Sequence, residues 1–285
     1  MIYQLMRFFA AICVVAGVVT TSVLAQMGTR EITQIKGDVY RFQNNFHYAI
    51  VVDTPDGIVA TDPINAEAAA WLEAELTKRF GKDVKYLIMS HHHQDHASGG
   101  EVFEDTATVV AHANFTPHVE AGDVKTATPD ETFTGEKTIE FGGKTIELTY
   151  LGEGHADDLI AMVVRPENVA FVVDAVSPKR LPWRDFPRTD INGLIGQLKA
   201  VEALDFDVLA PGHSVLGVKQ DVTDMRVYVE TLRDQVREAM KGGKNEAEVT
   251  AAIDMSKYKD WGNYEKGLQM NVSGMMRWLS ENPSN

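Results

Sequence analysis

The sequence predicts an α/β sandwich, with two sheets inside and helices outside. Two observations carry this: strand-rich blocks followed by helix occur twice in succession, and no Pro- or Gly-rich linker or low-complexity tract divides them. A third is composition, since 44% hydrophobic and 24% charged residues describe an ordinary globular chain. At 285 residues the chain is long, yet α/β folds of about 200–250 residues are commonly one domain.

In the first block, strands over 32–35 and 39–42 flank the turn Lys36-Gly37-Asp38. Strands over 47–52 and 58–61 flank Thr54-Pro55-Asp56-Gly57. A helix over 66–80 follows, with Trp71, Leu72 and Leu76 as its apolar stripe and Gly81 near its end. Strands over 86–89 and 108–111 complete the block. The second block pairs 138–141 with 145–151 across Gly142-Gly143, and 159–164 with 169–173 across Pro166-Glu167-Asn168. A helix over 191–204, capped by Asp190, leads into a strand over 207–210. From 218 onward the pattern is helical, over 222–240, 246–253 and 272–279, and reads as a cap packed on the core.

Residues 1–25 differ from the rest. Arg7 is their only charge, 8–19 is an apolar run of signal-peptide length, and Val23-Leu24-Ala25 offers a cleavage site before Gln26. The pattern predicts a secreted or periplasmic protein with no membrane anchor after cleavage. Cys13, the only cysteine, lies in this segment behind the bulky Ile12, which disfavours lipid attachment. The mature chain then has no thiol for a disulfide, a nucleophile or a metal. Its net charge, −14 for the whole chain and −15 once Arg7 is removed, excludes nucleic acid as a partner on electrostatic grounds. A small molecule is the expected substrate, and nothing in the sequence sets an oligomeric state.

The chemistry concentrates in Ser90-His91-His92-His93-Gln94-Asp95-His96, directly after the apolar run Tyr86-Leu87-Ile88-Met89. Imidazole is largely unprotonated near neutral pH and is the commonest protein metal ligand. In extended backbone His91 and His93 point the same way and can grip one ion. Asp95 and His96 follow once the chain turns toward Ala97-Ser98-Gly99-Gly100, and can reach a second ion. Three further residues sit at strand ends. His155 follows Leu151-Gly152-Glu153-Gly154, Asp174 ends the run Val169-Ala170-Phe171-Val172-Val173, and His213 lies in Ala210-Pro211-Gly212-His213-Ser214. A carboxylate at Asp174 is costly to bury without a partner. His92 should point away by alternation, while His47, His112 and His118 read as surface or packing residues.

His91-x-His93-x-Asp95-His96, then His155, Asp174 and His213 in that order, resembles the metallo-β-lactamase fold superfamily. The resemblance covers about residues 30–216 and implies an αββα sandwich with two metals at one sheet edge. It assigns residues 26–217 to a metallo-hydrolase core and 218–285 to a helical extension. His91, His93 and His155 would hold one metal, Asp95, His96 and His213 the other, with Asp174 bridging and Asp62 supporting from beneath. Two zinc ions are implied, and the donor set also admits iron or manganese. The implied chemistry is hydrolysis of an ester, thioester, lactone or amide-type carbonyl by a hydroxide made available by the metals, with Asp95 orienting it. β-Lactam hydrolysis and persulfide oxidation by a single iron are the alternatives. Ser177 stands where quorum-signal lactonases place a tyrosine, which weakens that branch. Lys179-Arg180-Leu181-Pro182-Trp183-Arg184 reads as an exposed loop with an anchoring tryptophan or as a cleft wall, and Trp261 and Tyr264 as packing or a lid.

Overall fold

The computed structural model describes residues 29–283, so the predicted signal peptide lies outside the described residues. Seven strands form the first sheet in chain order: β1 (Arg30–Lys36), β2 (Val39–Asn44), β3 (His47–Thr54), β4 (Gly57–Thr61), β5 (Val84–Ile88), β6 (Thr108–His112) and β7 (Glu131–Phe133). The first four pair antiparallel through short turns, whereas β4 to β7 run parallel. Parallel neighbours need a crossover. These are α1 (Ala66–Phe80), then α2 (Gln94–Ala97) with a short 3-10 turn, then α3 (Phe115–Ala121). Asn65 caps α1 by accepting from Ala68 N–H at 2.9 Å, and Gly81 closes it at φ 65°. Such a cap contributes about 1 kcal/mol.

The second sheet comprises β8 (Glu136–Phe141), β9 (Lys144–Tyr150), β10 (Ile160–Arg165), β11 (Val169–Val172) and β12 (Val208–Pro211), which follows α4 (Ile191–Ala203). Its spatial order is β12-β11-β10-β9-β8, with β12 parallel to β11. Alternation along β3 shows how the layers stack. Ile50 and Val52 join the apolar cluster shared with the second sheet, while Ala49 and Val51 join the cluster with Leu72 and Leu76 of α1. Residues of α4, α5 (Lys219–Met240), α6 (Glu246–Ala252) and α7 (Tyr264–Glu281) enter the same cluster as β10 and β11. The C-terminal helices therefore pack on the core. Asp190 ties two of them together, accepting from Gly193 N–H at the start of α4 and from Trp278 Nε1–H of α7 at 3.0 Å.

Four elements depart from the sequence reading. α7 begins at Tyr264, eight residues ahead of the predicted 272, because its polar first turn and Gly267 and Gly274 break the apolar period. Gly274 is required there, since a Cβ would lie 2.0 Å from Asp185 O. The polar start of α5 hid its first residues in the same way: Asp221 accepts from Val218 N–H at 2.9 Å. Neither α3 nor the three-residue β7 was assigned at all.

The topology brings several chain ends to one edge. The C-terminal ends of β4 and β5 pair at Thr61 and Ile88, and those of β11 and β12 at Val172 and Pro211. Tyr48 N–H donates to Gly212 O at 2.8 Å, and Ile160 N–H to Ser90 O at 3.0 Å, so the starts of β3 and β10 arrive there too.

Candidate metal centre

The centre begins beneath its ligand candidates. Asp62, fully buried just past β4, accepts from Ser90 N–H at 2.8 Å and from Ser90 Oγ–H at 2.7 Å. Because the Ser90 hydroxyl proton goes to Asp62, its oxygen is left to accept from His91 Nδ1–H at 3.0 Å. That leaves His91 Nε2 without a hydrogen, facing the centre. His96 Nδ1 lies 3.3 Å from Asp62 Oδ2, and His213 Nδ1–H donates to Phe46 O at 2.9 Å. Two imidazoles, His91 and His213, are thus held by hydrogen bonds at their far nitrogens, and His96 Nδ1 faces the Asp62 carboxylate without a hydrogen bond, each with Nε2 turned inward. Metal-binding histidines use this same arrangement of outer acceptors.

The loop after β9 supplies His155. Its N–H donates to Gln197 Oε1 at 2.8 Å, and Gln197 Nε2–H binds Gly152 O at 2.7 Å and Ala156 O at 3.2 Å. Glycine is needed at 154, where a Cβ would lie 2.5 Å from Gln197 Oε1. Gly212 has a similar duty, since a Cβ there would meet Val173 at 2.6 Å and His96 Cε1 at 2.8 Å. These are the close approaches that the glycine-rich context signalled.

All seven sequence-predicted residues converge, and Asp174 sits among them at φ 60°. Its Oδ2 lies 3.2 Å from His155 Nε2 and 3.6 Å from His91 Nε2. Its Oδ1 lies 3.2 Å from His213 Nε2 and 3.4 Å from His96 Nε2. One carboxylate therefore divides its oxygens between two histidine groups. His93 belongs to the first, with Nδ1 3.0 Å from His155 Nε2, and His213 and His96 face each other at 3.0 Å in the second. Asp95, half-exposed, places Oδ2 3.5 Å from His213 Nε2 and 3.7 Å from His96 Nε2.

These residues fit a pair of metal ions. His91 Nε2 and Asp174 Oδ1 are buried without a hydrogen-bond partner. Nitrogen–oxygen separations of 3.2–3.7 Å mostly exceed hydrogen-bond lengths of about 2.7–3.2 Å. Two ligand atoms about 2.0–2.1 Å from one tetrahedral ion are about 3.4 Å apart. The donor set, imidazole nitrogen with carboxylate oxygen, suits zinc.

Electrostatics divide the centre. Burial, reinforced by neighbouring imidazoles, lowers His93 to about 2, and burial also lowers His91. Burial acts the same way on His213, but the facing carboxylates of Asp174 and Asp95 outweigh it and raise that group to about 9. His96 is likewise raised despite full burial, through Asp174 and Asp62. Burial alone would raise Asp174 and Asp95, yet their histidine partners hold both well below the ordinary carboxylate range.

A pH dependence follows, with a definite sign. In metal-free protein the His96–His213 pair, raised by its carboxylates, favours a proton, and the stability this brings is present below the ordinary value of 6.5; for His213 it is lost as pH rises through about 9. Zinc must displace that proton, whereas His91 and His93 offer free lone pairs. Zinc affinity at the His96–His213 group should rise about tenfold per pH unit for each proton displaced, levelling above pH 9, while His91 and His93 add no such dependence near neutrality. Calorimetry in buffers of different ionisation heat counts the protons. Equal proton release at both groups would contradict the division.

The remaining histidines separate cleanly. His92 points away, bonding Asp158 at 2.9 Å and stacking on His118 at 3.5 Å, and His112 stacks on Tyr150 at 3.8 Å. His47 corrects the sequence reading. Besides packing against His213, it reaches the centre, its Nε2 lying 3.4 Å from Asp95 Oδ2. Ser90 and Gln197 were also missed, since neither carries a spacing signal. In the 179–184 loop, Leu181 is the buried anchor while Trp183 stays 67% exposed. Trp261 packs against Tyr228 and Tyr258, which makes it core and not a lid.

Residues 38–213 match the Metallo-beta-lactamase superfamily, and the chain belongs to it. Two similar proteins are both described as "Metallo-beta-lactamase type 2". The one from Elizabethkingia meningoseptica is 29% identical over 131 residues, 44% of this chain and 52% of its own length. The one from Bacteroides fragilis is 29% identical over 127 residues, 45% of this chain and 47% of its own. This chain thus spans about half the length of these relatives. The solved structure "Metallo-beta-lactamase from Pontibacter korlensis" superposes with a TM-score of 0.64 at 19% identity, covering 71% of this chain and 99% of that one. It supports the αββα fold that the resemblance implied.

Proposed function

We propose that this superfamily metallo-hydrolase binds two zinc ions and cleaves an activated carbonyl bond, with an ester, thioester or lactone preferred over a β-lactam. The observation that carries it is the division of Asp174 between two histidine groups. His91, His93 and His155 with Asp174 Oδ2 would hold one ion, and Asp95, His96 and His213 with Asp174 Oδ1 the other. When bound, zinc supplies Lewis acidity, which polarises a carbonyl and makes hydroxide available near neutral pH.

The chain's own residues do the rest. Asp95 is the most exposed carboxylate of the centre and stays ionised, so it is a permanent acceptor that can hold the attacking water by its proton. Proton transfer at such a group contributes about 10²–10⁴ in rate. His91, His96 and His213 are fixed by Ser90, Asp62 and Phe46 O, so the donors need no reorganisation. The location at which substrate is met, outside the cytoplasm, rests on the N-terminal pattern alone.

Asp174 also supports the substrate ranking. Its negative charge, shared by both histidine groups, would make bound ions poorer partners for the anionic nitrogen released when a β-lactam opens. A thioester has a better leaving group and needs less of that help. Measuring kcat/KM for a penicillin, a carbapenem, a thioester and a lactone on one zinc-loaded preparation tests this. A β-lactam preferred by more than about 100-fold, some 2.7 kcal/mol, would make antibiotic hydrolysis the leading function. Iron with oxygen uptake would select persulfide oxidation instead.

A further inference from the structure

His47 is a histidine of the centre that the superfamily resemblance does not supply. It opens β3, and its neighbours on both sides are fastened to the loop that carries His213. Tyr48 N–H donates to Gly212 O at 2.8 Å, and Phe46 O accepts from His213 Nδ1–H at 2.9 Å. The hairpin tip and the His213 loop are therefore one unit, with the His47 side chain between the two ties. Its ring stands edge-on to His213 at a centroid distance of 4.9 Å and an angle of 67°.

The distances separate two roles for this imidazole. His47 Nε2 to Asp95 Oδ2 is 3.4 Å, and Asp95 Oδ2 to His213 Nε2 is 3.5 Å. An N–H···O hydrogen bond has its donor and acceptor about 2.7–3.2 Å apart, and a charge-assisted one is shorter still. Two donor atoms on one zinc, each bonded at about 2.0–2.1 Å, lie about 2.9–3.4 Å apart for angles between about 90° and the tetrahedral value. Ligand atoms of His47, Asp95 and His213 all lie within 4.8 Å of one another. We propose that His47 is a ligand of the second ion, bound together with Asp95 and His213.

This rests on the two-ion reading above and deepens it. With His47, grouped with Asp95 and His213, the second ion would gain a fifth donor beside Asp95, His96, His213 and Asp174 Oδ1, on the side of the half-exposed Asp95. A nitrogen-rich set favours zinc and its late first-row neighbours over manganese or magnesium, which prefer oxygen. The second ion should therefore be held tightly and selectively, and His47 should be the residue that makes it so.

The test is zinc binding by the full mature chain, read by competition with a chelator and independent of any substrate. The variants are His47→Ala and His47→Gln, with His118→Ala as a control outside the centre. Glutamine places an amide N–H where Nε2 stood, so it can still donate to Asp95 but is a poor zinc ligand. Wild type and the control should take up two equivalents. Both His47 variants should keep the first equivalent at unchanged affinity, which also reports an intact fold. The second should weaken by more than about 100-fold, beyond the 10–100-fold typical of losing an outer hydrogen bond. Zinc-over-manganese selectivity of that equivalent should fall as well. Restoration by glutamine would overturn ligation, leaving His47 as an orienting residue for Asp95, and so would an unaffected His47→Ala variant with normal wild-type stoichiometry. Wild type binding fewer than two equivalents would overturn this proposal and the two-ion reading together.

Discussion

Asp174→Ala is expected to lower kcat/KM by at least about 1,000-fold, roughly 4 kcal/mol of transition-state stabilisation, and to strip zinc from both halves of the centre. The magnitude follows from position. Asp174 Oδ2 faces His155 and His91 while Oδ1 faces His213 and His96, so one truncation removes an oxygen from each group. It also removes the buried anion between two pairs of imidazoles whose facing nitrogens lie 3.0 Å apart. Without it, two dications close together would lose their shared counter-charge. The fold should survive, because Asp174 lies two residues past β11, outside the apolar cluster that Val169, Ala170, Phe171, Val172 and Val173 join. Asp174→Asn is the sharper variant. Asparagine tolerates the left-handed φ of 60° and keeps the shape, so its loss isolates charge from backbone strain. Elemental analysis after dialysis, kcat/KM and far-UV circular dichroism decide the matter together. A folded Asp174→Ala protein with two zinc ions and full turnover would remove the bridging role.

How much of this was readable beforehand depends on how local each signal is. His91, His93, Asp95 and His96 were legible because their spacing lies within one strand end and one short turn, and His155 and His213 because glycines announce a close backbone approach. Asp174 was legible as a carboxylate ending an apolar run. His47 carried no such mark. It begins an ordinary strand after Asn44-Asn45-Phe46, and only the pairing of Tyr48 with Gly212 brings it to Asp95. Gln197 was equally silent. It sits mid-helix in α4, where an apolar period explains its neighbours, and its work on the His155 loop spans 42 residues of sequence. The helix boundaries that failed, at α5 and α7, failed for polar first turns that break the apolar period; at α5 the Asp221 carboxylate accepts from Val218 N–H, whereas no side chain caps α7. Periodicity reads faces; it does not read which distant loops a topology will bring together.

Asp62→Ala should weaken zinc affinity by about 10–100-fold and cost about 3–5 kcal/mol of stability, a larger structural penalty than a support for one ligand would carry. The geometry makes Asp62 a support for two. Its carboxylate accepts both protons of Ser90 that it can reach, and Ser90 Oγ in turn accepts from His91 Nδ1–H. The same carboxylate faces His96 Nδ1 at 3.3 Å. One imidazole from each half of the centre therefore depends on Asp62 for its tautomer and ring angle, and both zinc equivalents should weaken, not one. The stability loss arises because Asp62 is fully buried, so truncation leaves the Ser90 N–H and Oγ–H without their acceptor and removes the anion that faces the buried His96. Each such buried donor costs about 1–3 kcal/mol. Asp62→Asn separates the two effects. It preserves volume and one acceptor oxygen but turns an NH2 toward a donor, so affinity should fall with a smaller loss of stability. Because Asp95 and the inward-facing nitrogens remain in place, turnover should return as zinc is raised. Chelator competition, urea unfolding and activity against zinc concentration report the three quantities separately. Unchanged affinity for both equivalents in Asp62→Ala would place Asp62 outside the centre, and loss confined to one would show that the Ser90 link to His91 does not orient it.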